Sequence, residues 1–384
     1  AWRLNSRTVV RSAFGVFFGR DENMGIGRRP TNNPPYVALN TYGPDPNYAP
    51  IALAIGFPDD ALDLDKLSAP AVVSFLRHAP TPYVQQWNFN LQRELPGGLV
   101  LQLAYIGSSA HALYSPDQIN SPQPGSGAIQ PRRPFPQFGA LTWYVPLVSS
   151  NYSSFQATAE RRFARGFGLL AAYTWAHSID NGASNADRDD WAPQNPADYR
   201  AERGSSNFDI RHRFSLSSVW QLPFGKSRRF LGTGPAAAIA GGWQLSGIVS
   251  AQTGLPFTPR LPTDTAGTGT PIRPNRIQSG VAATPTVQSW FDTSAFVSPP
   301  PYAYGNSGRN ILSGPGFRNV DLGLSRLFRL GERVRLEFRA EAFNLFNTPQ
   351  LGSPNPVLTF NTTGAISTVT NPQREIQLAL RLRF

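Results

Sequence analysis

Four groups of residues in this chain are of types that could do chemistry. The first lies in AHSID (176–180) and DIRHRF (209–214). His177, Ser178, Asp180 and His212 supply a nucleophile, bases and an acid, the set used for acyl transfer. Such a set is defined by geometry and not by closeness in sequence. Strand alternation puts His177 and Ser178 on opposite faces, so the stretch is read as a rim histidine beside a loop. The second group is acidic: Asp180, Asp187, Asp189, Asp190 and Asp198 in one loop, and Asp59, Asp60, Asp63 and Asp65 in another. Carboxylate oxygens suit Ca²⁺, but neither run has the alternating spacing with a closing Glu, so both are read as solvated loops. The third, GTGPAAAIAGG (232–242), has the glycines of a phosphate loop without the following Lys-Ser/Thr, and is read as a turn with a short helix. The four His show no zinc spacing and there is no Cys. No cofactor, metal or catalytic residue is expected.

The fourth group is a ladder. Glu160 and Arg162, then Arg335, Glu337, Arg339 and Glu341, then Arg381 and Arg383 each recur at every second position. At that spacing the charges share one face of a strand. Their apolar neighbours share the other: Val334, Leu336, Phe338, Ala340 and Ala342 in one segment, Ile376, Leu378, Leu380, Leu382 and Phe384 in the last. Cross-strand ion pairing is the simplest work for such a ladder.

Elements that carry a ladder of this kind must be long strands. Period-2 patterning recurs in ten segments, at 8–18, 84–95, 98–107, 153–163, 167–178, 211–222, 242–252, 318–330, 332–345 and 373–384. They are long enough for a tilted membrane strand, which needs about 9–11 residues, and exceed the usual 5–6 of soluble proteins. The connections alternate along the chain: LPGG, ARG and LGE are short, whereas 19–83, 108–152, 179–210, 253–317 and 346–372 are long. Short periplasmic turns and long extracellular loops are the asymmetry of an outer-membrane barrel. The expected fold is therefore all-β: an antiparallel up-and-down transmembrane β-barrel portion of about ten long strands, with residues 1–384 forming one domain. No apolar run is long enough for a transmembrane helix, and charged residues make up only 15% of the chain.

This topology orients each strand. Trp87, Tyr105, Tyr173 and Trp175 then fall at the outer rim, and Phe163, Trp220, Trp243 and Phe384 at the periplasmic rim, as interfacial aromatics should. Parity puts Arg11, Arg93, Arg161 and Arg326 on the lipid face, all near the periplasmic ends of their strands, where a long side chain can reach the headgroups. The partners implied are outer-membrane lipid and an unknown substrate. The net charge of +11 is spread along the strands and not clustered, which argues against nucleic acid.

Several stretches go beyond generic patterning. NYSSFQATAERRFARGFGLLAAYTWAHSID (151–180), FDIRHRFSLSSVWQLPFG (208–225), GGWQLSGIVSAQTGLPFT (241–258) and SWFDTSAF (289–296) resemble TonB-dependent outer-membrane receptors of the Oar-like group. GNSGRNILSGPGFRNVDLGLSRLF (305–328) and LEFRAEAFNLFNTPQLGSPN (336–355) are the most specific of these blocks. The resemblance implies a 22-stranded barrel plugged by an N-terminal domain, energised by TonB through that plug. It also implies active uptake of a scarce or bulky substrate, and a terminal Phe384 read by the barrel assembly machinery. The ladder could then dock the plug or line the substrate path. The chain opens on AWRLNSRTVV without Met, and is expected to be the C-terminal part of such a barrel, with plug and N-terminal extension absent. Ten strands of a larger barrel should form an open curved sheet, with 8–18 and 373–384 unpaired with each other. A plugless porin-like channel and a surface adhesin or glycan-binding protein are the alternatives.

Overall fold

The computed structural model describes residues 1–19, 33–34, 36–37, 69–182, 193–226, 228–270, 272–331, 333–359 and 361–384. Its strands in chain order are β1 (Trp2–Asn5), β2 (Thr8–Phe18), β3 (Val72–Phe75), β4 (Tyr83–Leu95), β5 (Leu99–Gln118), β6 (Leu141–Ala164), β7 (Phe167–Asp180), β8 (Gly204–Ser205), β9 (His212–Gln221) and β10 (Trp243–Gln252). The short pairs β11 (Pro256–Phe257) with β14 (Leu312–Ser313), and β12 (Asn275–Arg276) with β13 (Phe296–Val297), lie in one loop. Then come β15 (Phe317–Arg329), β16 (Arg335–Phe343) and β17 (Glu375–Arg383). The wall runs β1-β2-β4-β5-β6-β7-β9-β10-β15-β16-β17, each strand antiparallel to the next. β3 and β8 attach to the outer parts of β6 and β7.

All ten expected segments are strands of this wall, and β17 does not pair with β2. The wall is an open arc. Two corrections concern its extent. An eleventh strand, β1, pairs with β2, so the edge of 8–18 expected to be bare is covered over part of its length. The stretches beyond 107 and before 153, read as loop, are strand in β5 and β6, which pair well past the reach of a membrane crossing. Tyr105 therefore lies within β5 and does not close it. It still belongs to a lateral row of partners, Phe89, Tyr105, Phe155 and Trp175, which forms an aromatic band across four strands.

Turn chemistry fits the sequence. Arg165 and Gly166, with φ of 53° and 80°, make the two-residue link from β6 to β7. Positive φ at both positions matches the right-handed twist of the strands. Gly107 is required by a neighbour: a Cβ there would sit 2.4 Å from the Trp87 ring, which lies across it.

The link from β9 to β10 holds a short helix, α1 (Gly234–Ala240), the one expected for GTGPAAAIAGG. Its last carbonyls lack intrahelical partners. Arg326 donates to the carbonyls of Ala238 and Ile239, and Trp243 Nε1 donates to Ile239 at 2.9 Å. The Arg326 guanidinium also lies 4.4 Å from the Phe328 ring centre. This arginine stays on the apolar face, opposite Phe338, because the helix end and aromatic rings receive its charge.

Arg11 corrects the parity reading. It pairs with Asn90, on the polar face, and donates to Gln92 Oε1 at 2.6 Å. The apolar side chains of β2 stand on both faces, Phe17 on one and Phe14 and Phe18 on the other, so alternation alone left its register undecided. The partner strand decides it.

The wall buries little of its apolar face. Leu378 and Leu380 are each 69% exposed and Phe14 67%. Such a continuous band is matched to hydrocarbon and not to water. The one cluster of buried hydrophobics among the described residues sits instead in the loop between β10 and β15. There Phe257, Phe291, Ala295, Phe296 and Leu312 pack together, with Phe257 and Phe291 ring centres 5.5 Å apart.

Candidate functional site

Two constellations stand out: the polar face of the wall and a charged knot in the outer loops. On the polar face, register brings together Arg335 with Arg383, Glu337 with Arg381, Arg339 with Ala379, and Glu341 with Gln377. Two guanidinium groups directly opposite repel. Arg383 turns away from Arg335 and donates to Glu337 Oε2 at 2.7 Å, while Arg339 Nε lies 3.4 Å from Glu337 Oε1. Glu337 is thus held between two arginines, and the cross-strand ladder is one bridge and not a series. Glu160 stands opposite Val100 and Leu170, and Arg162 falls in the irregular stretch between Arg161 and Ala164. The structure leaves these two five strands along the wall from the β16–β17 patch.

The patch is exposed to water, with Arg383 at 55% and Arg339 at 52% side-chain exposure. Glu337→Gln is expected to cost less than about 1 kcal/mol in urea unfolding of the lipid-embedded barrel. A larger loss would show that the patch is desolvated by a partner.

The knot in the loops was not visible in the sequence. Asp180, read as part of a solvated acidic loop, is 5% exposed and is bridged by the Arg309 guanidinium. Arg309 is 3% exposed and also donates to the carbonyls of Asp180 at 3.0 Å and Glu202 at 2.9 Å. Beside it, Arg273 Nη1 meets Glu202 Oε2 at 2.5 Å, with both residues buried. Gln194 ties the two together: its Nε2 donates to Gly305 O at 2.8 Å, and its Oε1 accepts the N–H of Arg273 at 3.1 Å. Asn310 adds a bond to Asn207 Oδ1 at 2.6 Å. The segment after β7 and the segment between β10 and β15 are thereby latched over the outer mouth. Arg309 sits inside the resembling block GNSGRNILSGPG, an arginine among small and apolar residues, which was the available signal. Asp59, Asp60, Asp63, Asp65, Asp187, Asp189 and Asp190 lie outside the described residues.

The nucleophile–base–acid set is not assembled. His177 Nδ1 lies 2.9 Å from Asp209 Oδ2, and its Nε2 faces Arg211 Nη2 at 3.3 Å. Ser178 Oγ instead pairs with Ser206 Oγ at 2.8 Å, and its N–H donates to Asp209 Oδ1. Alternation keeps the hydroxyl and the imidazole on opposite faces, as the spacing predicts. His212 Nδ1 is 2.8 Å from the Tyr173 hydroxyl, between stacked Tyr173 and Trp175 rings. These contacts hold the outer ends of β7 and β9.

Comparison with known proteins places this geometry. A family profile described as an outer membrane beta barrel domain matches residues 1–377. A search of curated proteins finds no match. Among solved structures, the chain is similar to the outer membrane transporter YddB from Escherichia coli, at 13% identity and a TM-score of 0.52, covering 99% of this chain and 39% of that one. It is also similar to the ferric-catecholate import receptor Fiu from Escherichia coli, at 11% identity and a TM-score of 0.43, covering 100% and 34%. The pyoverdine receptor FpvA from Pseudomonas aeruginosa matches at 11% identity and a TM-score of 0.44, again covering 100% and 34%. The chain thus spans less than half the length of these structures. With its open antiparallel wall, lipid-matched outer band and a family match over nearly its whole length, the chain belongs to the outer membrane beta barrel domain family and resides in the bacterial outer membrane.

Proposed function

We propose that residues 1–384 are the C-terminal barrel portion of a TonB-dependent receptor of the Oar-like group. It would act as a non-enzymatic transporter that takes up its substrate with energy delivered through a plug domain and TonB. The observation that carries this reading lies on the polar face. Leu170, Ile248 and Leu327 share that face by register, yet are 47%, 51% and 43% exposed. Leu170 and Ile248 flank Ser217 in one lateral row. A water-filled channel is lined by polar groups. Large apolar side chains on an inner wall favour a protein surface packed inside the barrel, which a plug provides and a porin does not. The charged patch around Glu337 would give that plug a polar contact beside the apolar one. The latched loops suit a receptor that holds a shaped outer mouth.

The complete barrel in a planar lipid bilayer is expected to show no steady conductance, and Leu170→Glu with Ile248→Glu to open a leak. Uptake in cells should stop when TonB is removed. A steady conductance from the unaltered protein would overturn the reading in favour of a porin-like channel. Binding of surface glycans without any uptake would favour an adhesin.

Assembly supplies a further expectation. β17 ends at Arg383, and Phe384 is 96% exposed beyond it, free to meet another protein. Deleting Phe384 should lower the amount of assembled barrel in the outer membrane, as read by heat-modifiable mobility on gels. Substrate preference of the remainder should be unchanged. Normal assembly would remove the signal role.

A further inference from the structure

A groove of about 890 Å³ lies where the loops overhang the outer surface of the wall. Its floor is a lateral row on the apolar face: Tyr173, Phe214, Ala251 and Arg318, partners across β7, β9, β10 and β15. Its roof comes from the latched loop, including Trp290 and Asn310. The floor is therefore on the lipid side, at the height of the outer aromatic band where headgroups begin.

The charge of the groove is unusual for that place. Arg211 and Arg318 line it against a single carboxylate, Asp209. That carboxylate is already engaged by His177 at 2.9 Å and lies 3.7 Å from Arg211 Nη2. The Arg318 guanidinium has no hydrogen-bond or ion-pair partner among the described residues. Its backbone alone is bonded, to Gln350. An arginine with no protein partner on a membrane-facing surface is stable where an anion of the membrane meets it. Two guanidinium groups over an apolar floor match a phosphate above acyl chains.

We propose that this groove binds the phosphorylated sugar headgroup of an outer-leaflet glycolipid, with Arg211 and Arg318 on phosphate and the Tyr173–Phe214 floor against the acyl chains. This rests on the membrane orientation of the wall and not on the transport reading. The test is native mass spectrometry of the complete barrel extracted in mild detergent. Phosphorylated glycolipid should stay bound through detergent exchange, and R211Q/R318Q should retain about tenfold less. R211K/R318K should retain an intermediate amount, and gel mobility of the heated and unheated forms checks folding. Should the double variant fail to assemble, R211Q and R318Q singly should each reduce retention about threefold. Equal retention of dephosphorylated glycolipid would overturn the proposal, as would undiminished binding in R211Q/R318Q. Complete displacement by millimolar inorganic phosphate would also overturn it, because the site would then take the free anion and not the lipid.

Discussion

Arg309→Ala is expected to loosen the outer loops by about 3–5 kcal/mol while leaving the wall intact. The cost comes from what remains. Asp180 would keep a buried carboxylate with its counter-charge gone, and the carbonyls of Asp180 and Glu202 would lose their donor. Removing one member of a buried pair costs far more than the pair contributes, because desolvation of the survivor is no longer offset. A charge-neutral double variant, Asp180→Asn with Arg309→Met, should therefore be milder than Arg309→Ala alone. The measurement is hydrogen exchange across 253–316, together with protease cleavage of the loops on intact cells. If the double variant were as damaging as the single, packing around Arg309 and not its charge would hold the latch. If cleavage were unchanged, the two segments would not be latched.

Leu378→Arg is expected to cost about 2–4 kcal/mol, the penalty for a cation facing hydrocarbon near mid-depth. Leu378 stands opposite Ala340 on the apolar face, near the middle of β17. Its sequence neighbour Gln377 stands opposite Glu341 on the polar face. Gln377→Arg should change stability by no more than about 0.5 kcal/mol, because the new charge meets water and a carboxylate. Urea unfolding in lipid vesicles measures both. Equal costs would mean that the two faces of the wall do not correspond to lipid and lumen.

Both expectations show where sequence reading works. Alternation is a property of one strand, and it survives in any strand with one apolar face. The charges of β16 and the leucines of β17 announced their faces because Arg335, Glu337, Arg339 and Glu341 follow one another on one side and no charge interrupts the apolar side of either strand. Alternating loop lengths then ordered the strands, and the aromatic band followed. In β2 the same rule failed for Arg11, because Phe17 shares its face while Phe14 and Phe18 share the other. Only the pairing of Arg11 with Asn90 settled which side it takes.

The outer parts of β5 and β6 failed for a related reason. Pro116 and Pro146 with several Ser and Ala residues read as loop, and the register slips between Ala110 and Ser115. Those stretches are strands because each is the other's partner. The latch is the extreme case. Asp180 and Arg309 are 129 residues apart, and nothing local to either marks the other. An aspartate in a polar loop is solvated by default, and becomes a buried ion only when the fold brings a guanidinium to it. Local periodicity is enough to mark the ten long segments as strands and to assign a lipid face wherever the apolar residues keep to one side, which excludes β2. Which charges leave water was decided by the tertiary structure alone, because burying a charge depends on a partner that only long-range closure supplies.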